Sequence, residues 1–399
     1  MNEPSTQPKF TSAAVESAIN EIGKQGAAGD TQGALDALAR VQAESAATPN
    51  EDFYMPRDRM GALLQSTMSE HVAKQATEEG PAVPLNLMFS DVDPGWISVV
   101  PSLLDKWLTV DAKFRTHTDH RTAYTMSDNA KVALFADWAT GQPAAIQVMD
   151  RIRERNPDVL VHLGDIYYSG QSNEAQSRFL KHLPPASPNL QRFALNGNHE
   201  MYSGGHGYFD DILAEMDQEA SYFCLTNSHW RLIGLDSAYQ DKKLKDPQLA
   251  WLKELVKPND GRKNILMSHH QAFSMFEEVD SHDLWEPIRP LIEAGKIHAW
   301  FWGHEHKHIV YKKHRGVLGR CIGHGAIPSF PPGKDFLEQT FPDLKVKFVN
   351  RRVRPGTLQA VNGCAMLRFN GPSLEVDYID DDGFTRTEDI VAILAGTSD

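Results

Sequence analysis

Short apolar runs alternate with amphipathic stretches from residue 131 onward, and this alternation predicts strands and helices in turn. Lys131–Ala136 and Val159–Leu163 are rich in Val, Leu and Phe, which is typical of buried strands. Between them, apolar residues recur at helical spacing from Ala145 to Ile152. A strand, a helix and a strand within about 30 residues form a βαβ unit, so we expect a largely parallel sheet here. The same pattern predicts further strands at Arg192–Leu195, Trp230–Leu235, Asn264–Met267, His298–Trp302, Ala365–Phe369 and Leu374–Ile379.

The beginning of the chain has a different pattern, because its apolar residues recur with the spacing of helices instead of strands. The stripe from Val15 to Ile22 is one example. We predict a mainly helical N-terminal segment over residues 1–80, a connecting region over 81–130 and one large domain over 131–399. The N-terminal helices either pack on the main domain or form a module for a protein partner or for dimerisation.

Composition and charge exclude several classes of protein. The 399 residues include 40 Lys and Arg against 53 Asp and Glu, a net charge of −13, so the surface as a whole repels nucleic acids. Hydrophobic residues at 41% and charged residues at 23% are typical of a folded globular chain. No apolar run approaches the ~20 residues that span a bilayer, and the first residues lack the pattern of a secretory signal. We therefore expect a cytoplasmic protein with no membrane and no nucleic-acid partner.

Residues that can bind a metal follow five of the predicted strands. In open α/β sheets, ligands bind at the carboxyl ends of the strands, so we expect these side chains to converge. Their oxygen and nitrogen atoms, with no thiolate among them, suit two divalent or trivalent first-row metals better than a structural zinc site. The residues, in the order of the strands, are Asp137, then Asp165 and Tyr168, then Asn198 and His199, then His269 and His270, and finally His304 and His306.

Two of these motifs suggest how the ligands would be arranged. Two metals of like charge need an anion between them, and Asp165 is central in the set. His304 and His306 are two residues apart, so in an extended segment both would point to the same side.

The ordered set of motifs resembles the calcineurin-like metallophosphoesterase superfamily over roughly residues 131–380. The matching motifs after Asp137 are Gly164-Asp165-x-x-Tyr168, Gly197-Asn198-His199-Glu200, a histidine after a strand at His269, and Gly303-His304-x-His306. The resemblance implies an α/β domain built as a four-layer α/β/β/α sandwich, here with the additional N-terminal helical segment. It also implies hydrolysis of phosphate esters with two metal ions.

The chain departs from the superfamily pattern in its first two motifs, and there it resembles the purple acid phosphatase branch. Most members have a histidine two residues after the first aspartate, but this chain reads Asp137-Trp138-Ala139. In the purple acid phosphatases a tyrosinate binds the first metal, and Tyr168 has the matching position three residues after Asp165. Tyr167 is the alternative ligand. A phenolate favours Fe(III), so this branch implies Fe(III) paired with Fe(II), Zn or Mn.

The same resemblance implies a role for each residue of the site. His199 would stabilise or protonate the leaving oxygen, the looser match at Ser281-His282-Asp283-Leu284 suggests a second catalytic residue in His282, and His270 would contact the phosphate. The implied ligands are Asp137, Asp165, Tyr168 and His306 for the first metal, and Asp165, Asn198, His269 and His304 for the second.

These observations lead to one functional hypothesis and two alternatives. The hypothesis is hydrolysis of a phosphate monoester, on a small phosphorylated substrate, by a metal-activated hydroxide. The first alternative is a phosphodiesterase of the same fold that acts on cyclic nucleotides or other small diesters. The second is a non-catalytic scaffold that retains the fold. A protein Ser/Thr phosphatase is less favoured, because the Asp-Arg extension usual after the second motif in those enzymes is absent after Asp165.

Overall fold

The computed structural model of the chain describes residues 111–119, 123–276, 282–329, 331, 344–357 and 359–397. Residues 112–201 and 205–399 form one compact unit. The predicted helical segment over residues 1–80 lies outside the described residues, and so do residues 81–110 of the connecting region. The proposed boundaries near residues 80 and 130 stay predictions.

Two mixed sheets form the centre of this unit. The eight-stranded sheet has the order β1 (Tyr124–Thr125), β5 (Phe223–Thr226), β6 (Trp230–Leu235), β7 (Lys263–Ser268), β8 (Ala299–Trp302), β10 (Leu318–Ile322), β9 (His308–Tyr311) and β11 (Val346–Val349). The six-stranded sheet has the order β14 (Thr385–Asp389), β13 (Ser373–Asp380), β12 (Gly363–Asn370), β2 (Lys131–Phe135), β3 (Val159–His162) and β4 (Gln191–Ala194).

The strands that carry the predicted site are the parallel ones. β2, β3 and β4 pair in parallel in one sheet, and β6, β7, β8 and β10 pair in parallel in the other. The remaining described pairings, apart from β1 with β5, are antiparallel. The predicted βαβ unit is confirmed, since a helix connects β2 to β3 and the two strands are parallel.

The helices lie mainly in the connections between parallel strands. None of those in the described part of the chain is long and apolar enough to cross a membrane. A π-helical turn over Ala175–Phe179 and another over Gly207–Ile212 continue the short helices beside them. The α-helices are α1 (Pro143–Glu154), α2 (Ser172–Glu174), α3 (Asn198–Met201), α4 (Leu213–Glu215), α5 (Gln248–Val256), α6 (His282–Glu293) and α7 (Ile390–Leu394).

Side chains on β2 alternate between two hydrophobic clusters. Val132 and Leu134 pack between the sheets, in the same cluster as Leu232 of the eight-stranded sheet. Ala133 and Phe135 lie in a second cluster, together with the apolar residues of α1. Because successive side chains of a strand point to opposite faces, a strand that is buried on both faces is apolar at nearly every position. This explains the continuous apolar run that predicted the strand.

A third cluster covers the other face of the eight-stranded sheet. Leu266 of β7 and Trp300 of β8 pack there with Trp251 of α5 and Trp285 of α6. Helices therefore cover the outer face of each sheet, and the two sheets pack against each other between them. The α/β class is confirmed, and the packing brings the carboxyl ends of the parallel strands of both sheets to one region.

His162, the last residue of β3, is a buried histidine among aromatic rings. Its ring centroid lies 4.9 Å from that of Phe179 and 5.2 Å from that of Phe135. Neither ring nitrogen has a hydrogen-bond partner among the described residues. Burial lowers the pKa of His162 to about 3, so the imidazole is neutral in the folded protein at neutral pH.

We expect His162→Phe to make the folded protein less sensitive to acid. An unfolded histidine has a pKa of about 6.5, so below that pH the unfolded chain binds a proton that the folded chain does not. The stability conferred by the neutral His162 is therefore present above about pH 6.5, and it is lost at about 1.4 kcal/mol per pH unit as the pH falls towards the folded pKa. Urea unfolding of chelator-treated protein at about pH 7.5 and about pH 5 should show a smaller loss for the variant. The same loss in both proteins would contradict this explanation.

Candidate dinuclear metal centre

The loops that follow the parallel strands of both sheets meet at the predicted site. The main-chain N–H of His304, after β8, donates to Oδ2 of Asp137, after β2, at 2.9 Å. Nδ1 of His269, after β7, lies 3.0 Å from the carbonyl oxygen of Leu163, after β3. These hydrogen bonds join the two sheets, so side chains that are far apart in the sequence are brought into one cluster.

Four of the candidate ligands adopt the left-handed backbone conformation that residues other than glycine rarely adopt. The φ angles are +53° at Asp137, +73° at Asp165, +67° at His304 and +50° at His306. Strained conformations of this kind persist where the surrounding structure holds them, and they concentrate at functional sites. For His304 and His306 the extended segment predicted from the sequence is wrong: a tight turn, and not strand alternation, directs both imidazoles to the site.

The first half of the cluster contains two carboxylates, a phenol and an imidazole. The hydroxyl oxygen of Tyr167 lies 3.0 Å from Oδ1 of Asp137, 3.0 Å from Oδ2 of Asp165 and 3.1 Å from Nε2 of His306. His306 Nε2 is itself 3.5 Å from Oδ1 of Asp137. One ligand atom from each of Asp137, Asp165 and His306 could therefore reach a single metal ion.

Tyr167, and not Tyr168, contacts the carboxylates, which corrects the choice made from motif spacing. The turn that begins at Asp165, which has a φ of +73°, directs the Tyr167 hydroxyl to the carboxylates. The ring of Tyr168 instead lies 5.0 Å from the guanidinium carbon of Arg178. Its main-chain N–H donates to Glu174 at 2.6 Å.

Tyr167 lies beside the position at which most members of the superfamily have the histidine of the first motif. Ala139 occupies the position two residues after Asp137, and its carbonyl oxygen accepts a hydrogen bond of 3.1 Å from the main-chain N–H of Tyr167. The tyrosine thus lies directly beside the residue that would otherwise be the histidine. Trp138 stands between Asp137 and Ala139 in the sequence. Its side chain is buried, and its Nε1 donates a hydrogen bond of 2.6 Å to the carbonyl oxygen of Ala145.

The second half of the cluster contains an amide oxygen and two imidazoles. Oδ1 of Asn198 lies 2.8 Å from Nε2 of His269 and 2.9 Å from Nδ1 of His304. The two imidazole nitrogens are 3.2 Å apart. Asn198 and His304 are half-buried, whereas the ligand candidates of the first half are buried, so the cluster is more open to solvent on this side.

Asp165 belongs to both halves, as its predicted bridging role requires. Its Oδ1 atom lies 3.3 Å from Nε2 of His269, while Oδ2 contacts the Tyr167 hydroxyl. Carboxylate, phenol, amide and imidazole donors of this kind suit two first-row metal ions. The geometry fits the two expected metal ions, with Tyr167 in place of Tyr168.

The charges of the cluster are poorly compensated by the protein alone. Burial and the charge of Asp165 raise the pKa of Asp137 well above its usual value. Burial also acts to raise the pKa of Asp165, but the neighbouring His269, His199 and His304 together lower it. Burial and the two carboxylates raise the pKa of the Tyr167 hydroxyl well above its usual value. A cation would stabilise all three groups in their charged forms.

His269 is held in the form that a metal requires. Burial lowers its pKa to about 4, so the imidazole is neutral at neutral pH. Because the carbonyl of Leu163 can only accept, Nδ1 of His269 carries the ring proton and Nε2 keeps its lone pair. A hydrogen bond of this type fixes the orientation of a metal-binding histidine.

His199 lies beside the cluster but turns one ring nitrogen away from it. Nδ1 lies 2.6 Å from the carbonyl oxygen of Tyr168, and Nε2 is 3.8 Å from Oδ2 of Asp165. The His199 ring also packs edge-on against the Tyr167 ring, with centroids 4.5 Å apart. The main chain thus holds Nδ1, and the predicted role of His199 at the leaving oxygen stays a prediction.

The two remaining predicted site residues are His270 and His282, and the structure describes the side chain of His270 alone. The ring of His270 lies 4.7 Å from the ring of His304, and its Nδ1 is 3.1 Å from the hydroxyl oxygen of Ser237. His270 is only 1% exposed, so it contacts the cluster from within the protein. His282 is the first residue of α6, but its side chain lies outside the described residues. Both assignments stay predictions.

Three buried glutamates that the sequence analysis did not single out support the cluster. Glu200 accepts hydrogen bonds of 3.1 Å from the main-chain N–H groups of Asp165 and Ile166. Glu174 accepts from three N–H groups of the segment 168–171. Glu305, between the two histidines of the last motif, accepts from Trp302 Nε1 at 2.6 Å and from the Ser274 hydroxyl. Each fixes the turn that carries a ligand.

Comparison with known proteins supports the same kind of site. Residues 130–308 match the protein family described as Calcineurin-like phosphoesterase. Tartrate-resistant acid phosphatase type 5 from pig (Sus scrofa) is 26% identical over 136 residues, which cover 34% of this chain and 38% of that protein's length.

Two solved structures are also similar to this chain. A purple acid phosphatase from yellow lupin seeds (Lupinus luteus) is 15% identical over 66% of this chain and 54% of its own, with a TM-score of 0.48. GAP50, described as the anchor in the inner membrane complex of Plasmodium, is 12% identical over 68% of this chain and 95% of its own, with a TM-score of 0.49. Residues 130–308 thus match the calcineurin-like metallophosphoesterases, and part of the chain has a distant similarity to the tartrate-resistant acid phosphatases.

Proposed function

We propose that this protein hydrolyses phosphate monoesters with two metal ions held by Asp137, Asp165, Tyr167, Asn198, His269, His304 and His306. The observation that carries the proposal is the position of Asp165, whose two carboxylate oxygens face the two halves of the cluster. A non-catalytic scaffold has no need for buried carboxylates, imidazoles and a phenol in mutual contact. An enzyme that binds two cations does need them.

The metal ions would polarise the phosphoryl oxygens and lower the pKa of the attacking water. The residues of the chain would hold those ions in place and control access to them. Asn198 and His304, the half-buried members, lie on the side from which a phosphate would approach. His199 Nε2, 3.8 Å from Asp165, would act on the charge that develops on the leaving oxygen.

The preference for monoesters and the expected metals rest on the likeness to the acid phosphatases. The pig protein is named an acid phosphatase, and its match covers 34% of this chain. Tyr167 supplies the phenol that Fe(III) favours as a ligand, so we propose Fe(III) in the first half and Fe(II), Zn or Mn in the second.

Asp165→Asn should remove both metal binding and activity. The variant keeps the size of the side chain but loses the charge between the two metals. We expect kcat/KM for a chromogenic monoester to fall by more than ~100-fold, which exceeds the usual effect of changing an outer partner of a metal ligand. Asp236→Asn is the matched control, because Asp236 is also fully buried but lies outside the cluster. Unchanged metal content and activity in Asp165→Asn would favour the scaffold.

The choice between monoesters and diesters needs a direct comparison of substrates. We expect kcat/KM for p-nitrophenyl phosphate to exceed that for bis-(p-nitrophenyl) phosphate when both are measured with the same metal-loaded protein. Activity that is lost in Asp165→Asn but is much higher on the diester would identify the phosphodiesterase alternative and retain the dinuclear site.

Substitutions of the two adjacent tyrosines should separate their roles. Tyr167→Phe removes the hydroxyl that contacts both carboxylates, so we expect the iron-loaded variant to lose its visible charge-transfer absorption band. Tyr168→Phe should keep the band, because its ring packs against Arg178 and not against the ligands. Loss of the band in Tyr168→Phe alone would show that the choice from motif spacing was right.

A further inference from the structure

A second group of metal-binding residues lies outside the dinuclear centre and shares no residue with it. One potential ligand atom on each of His308, His324 and Asp380 lies within 4.8 Å of the others. His308 begins β9 and His324 follows β10, both in the eight-stranded sheet, whereas Asp380 ends β13 in the six-stranded sheet. The group therefore lies where the two sheets meet.

The two histidines are buried without hydrogen bonds. His308 is 3% exposed and His324 is 4% exposed. None of their four ring nitrogens meets the geometry of a hydrogen bond with a described residue, although the main chain of Ile322 acts to raise the pKa of His324. Buried polar groups in proteins nearly always have a partner, because an unsatisfied one destabilises the fold. Two such residues in contact, with ring centroids 4.8 Å apart, call for an explanation.

Asp380 supplies an oriented negative charge to this group. Its Oδ1 atom accepts a hydrogen bond of 2.9 Å from Asn350, and its Oδ2 atom accepts one of 2.6 Å from Arg352. A carboxylate that binds a metal is typically held by partners of this kind. Each oxygen retains a lone pair, so these hydrogen bonds leave room for a metal ion.

The protonation states suit a cation. Burial lowers the pKa of His324 to about 4, so the imidazole is neutral at neutral pH and can bind a metal without first releasing a proton. Burial raises the pKa of Asp380 to about 6 although Arg352 acts to lower it. Arg352 compensates part of the charge of this carboxylate, and a bound cation would stabilise its charged form further.

A purely structural role explains these residues less well than a metal does. The His308 ring also packs on the Tyr378 ring, with centroids 4.5 Å apart, so it contributes to the core. His162 has such a core role: it is buried among aromatic rings and, among the described residues, it has no hydrogen-bond partner and belongs to no group of ligand atoms. At His308 and His324, two such imidazoles and a carboxylate occur together.

We propose that His308, His324 and Asp380 bind a zinc ion that links the two sheets. Two imidazole nitrogens and a carboxylate oxygen are donors that zinc accepts, and three protein ligands leave a fourth position for water. Ligand atoms on one tetrahedral zinc ion lie about 3.4 Å apart, since the bonds are about 2.0–2.2 Å long. The three ligand atoms lie within 4.8 Å of one another and the two imidazoles are stacked, so zinc binding would require the side chains to rotate until the atoms reach that separation.

The test is the zinc content of the full-length chain. Wild type, His324→Phe and Asp380→Asn are stripped with a chelator, reloaded with Zn²⁺ alone, freed of excess metal and analysed by mass spectrometry. We expect each variant to contain one zinc ion fewer per chain than wild type, with affinity at this site reduced by at least ~100-fold. Zinc should also raise the thermal midpoint of wild type more than that of either variant. Asp380→Asn keeps the shape of the side chain, so it tests the site even if His324→Phe fails to fold.

Two further variants serve as controls. One removes a buried histidine outside this site, and the other removes the ions of the dinuclear centre. His162→Phe removes an equally buried, unpartnered histidine outside the group and should not lower the zinc content. In Asp165→Asn the dinuclear ions are lost, and the zinc that depends on His324 should remain. Equal zinc content in wild type, His324→Phe and Asp380→Asn would overturn the proposal, whatever the outcome for the dinuclear centre.

Discussion

Two buried carboxylates meet at one phenol hydroxyl, and the rest of the site depends on how their charge is neutralised. Asp137 and Asp165 are at most 1% exposed, and both lie 3.0 Å from the hydroxyl oxygen of Tyr167. Like charges in such a position raise the energy of the folded protein unless a proton or a cation is shared between them. Burial lowers the pKa of His199 and of His269, which disfavours their charged forms and leaves metal ions as the natural counter-charge.

The packing of the two sheets brings these charged side chains together. Strands buried on both faces direct their apolar side chains into the core, so the polar residues are confined to the turns after the strands. The turns are tight, with left-handed conformations at Asp137, Asp165 and His304. Buried carboxylates such as Glu200 hold these turns by accepting main-chain N–H groups. The energy of the strained backbone is thus offset by hydrogen bonds and, in the proposed holoenzyme, by the metals.

The sequence predicted the strands and most of the cluster, for reasons that can be stated residue by residue. Apolar runs such as Lys131–Ala136 correspond closely to β2, which ends at Phe135, because burial on both faces leaves little room for polar residues. The polar residues after those strands could only gather at one end of the sheets. The prediction of Tyr168 rested on motif spacing, whereas in the structure the local turn directs the Tyr167 hydroxyl to the two carboxylates.

Other features could not be read from the sequence because they depend on distant contacts. The left-handed turns at His304 and His306 are fixed by Asp137 and Glu305, and neither contact follows from periodicity. The pairing of His308 and His324 with Asp380 requires the relative position of two sheets. The helical prediction for residues 1–80 lies outside the described residues and stays a prediction.

The central claim is that this cluster holds two metal ions, with Asp165 between them. Anomalous diffraction from crystals of the metal-loaded protein tests it most directly. We predict two anomalous peaks about 3.5–4 Å apart. One peak should lie against Asp137, Tyr167 and His306, the other against Asn198, His269 and His304, with Asp165 contacting both. A single peak, or peaks that do not contact Asp165, would contradict the account.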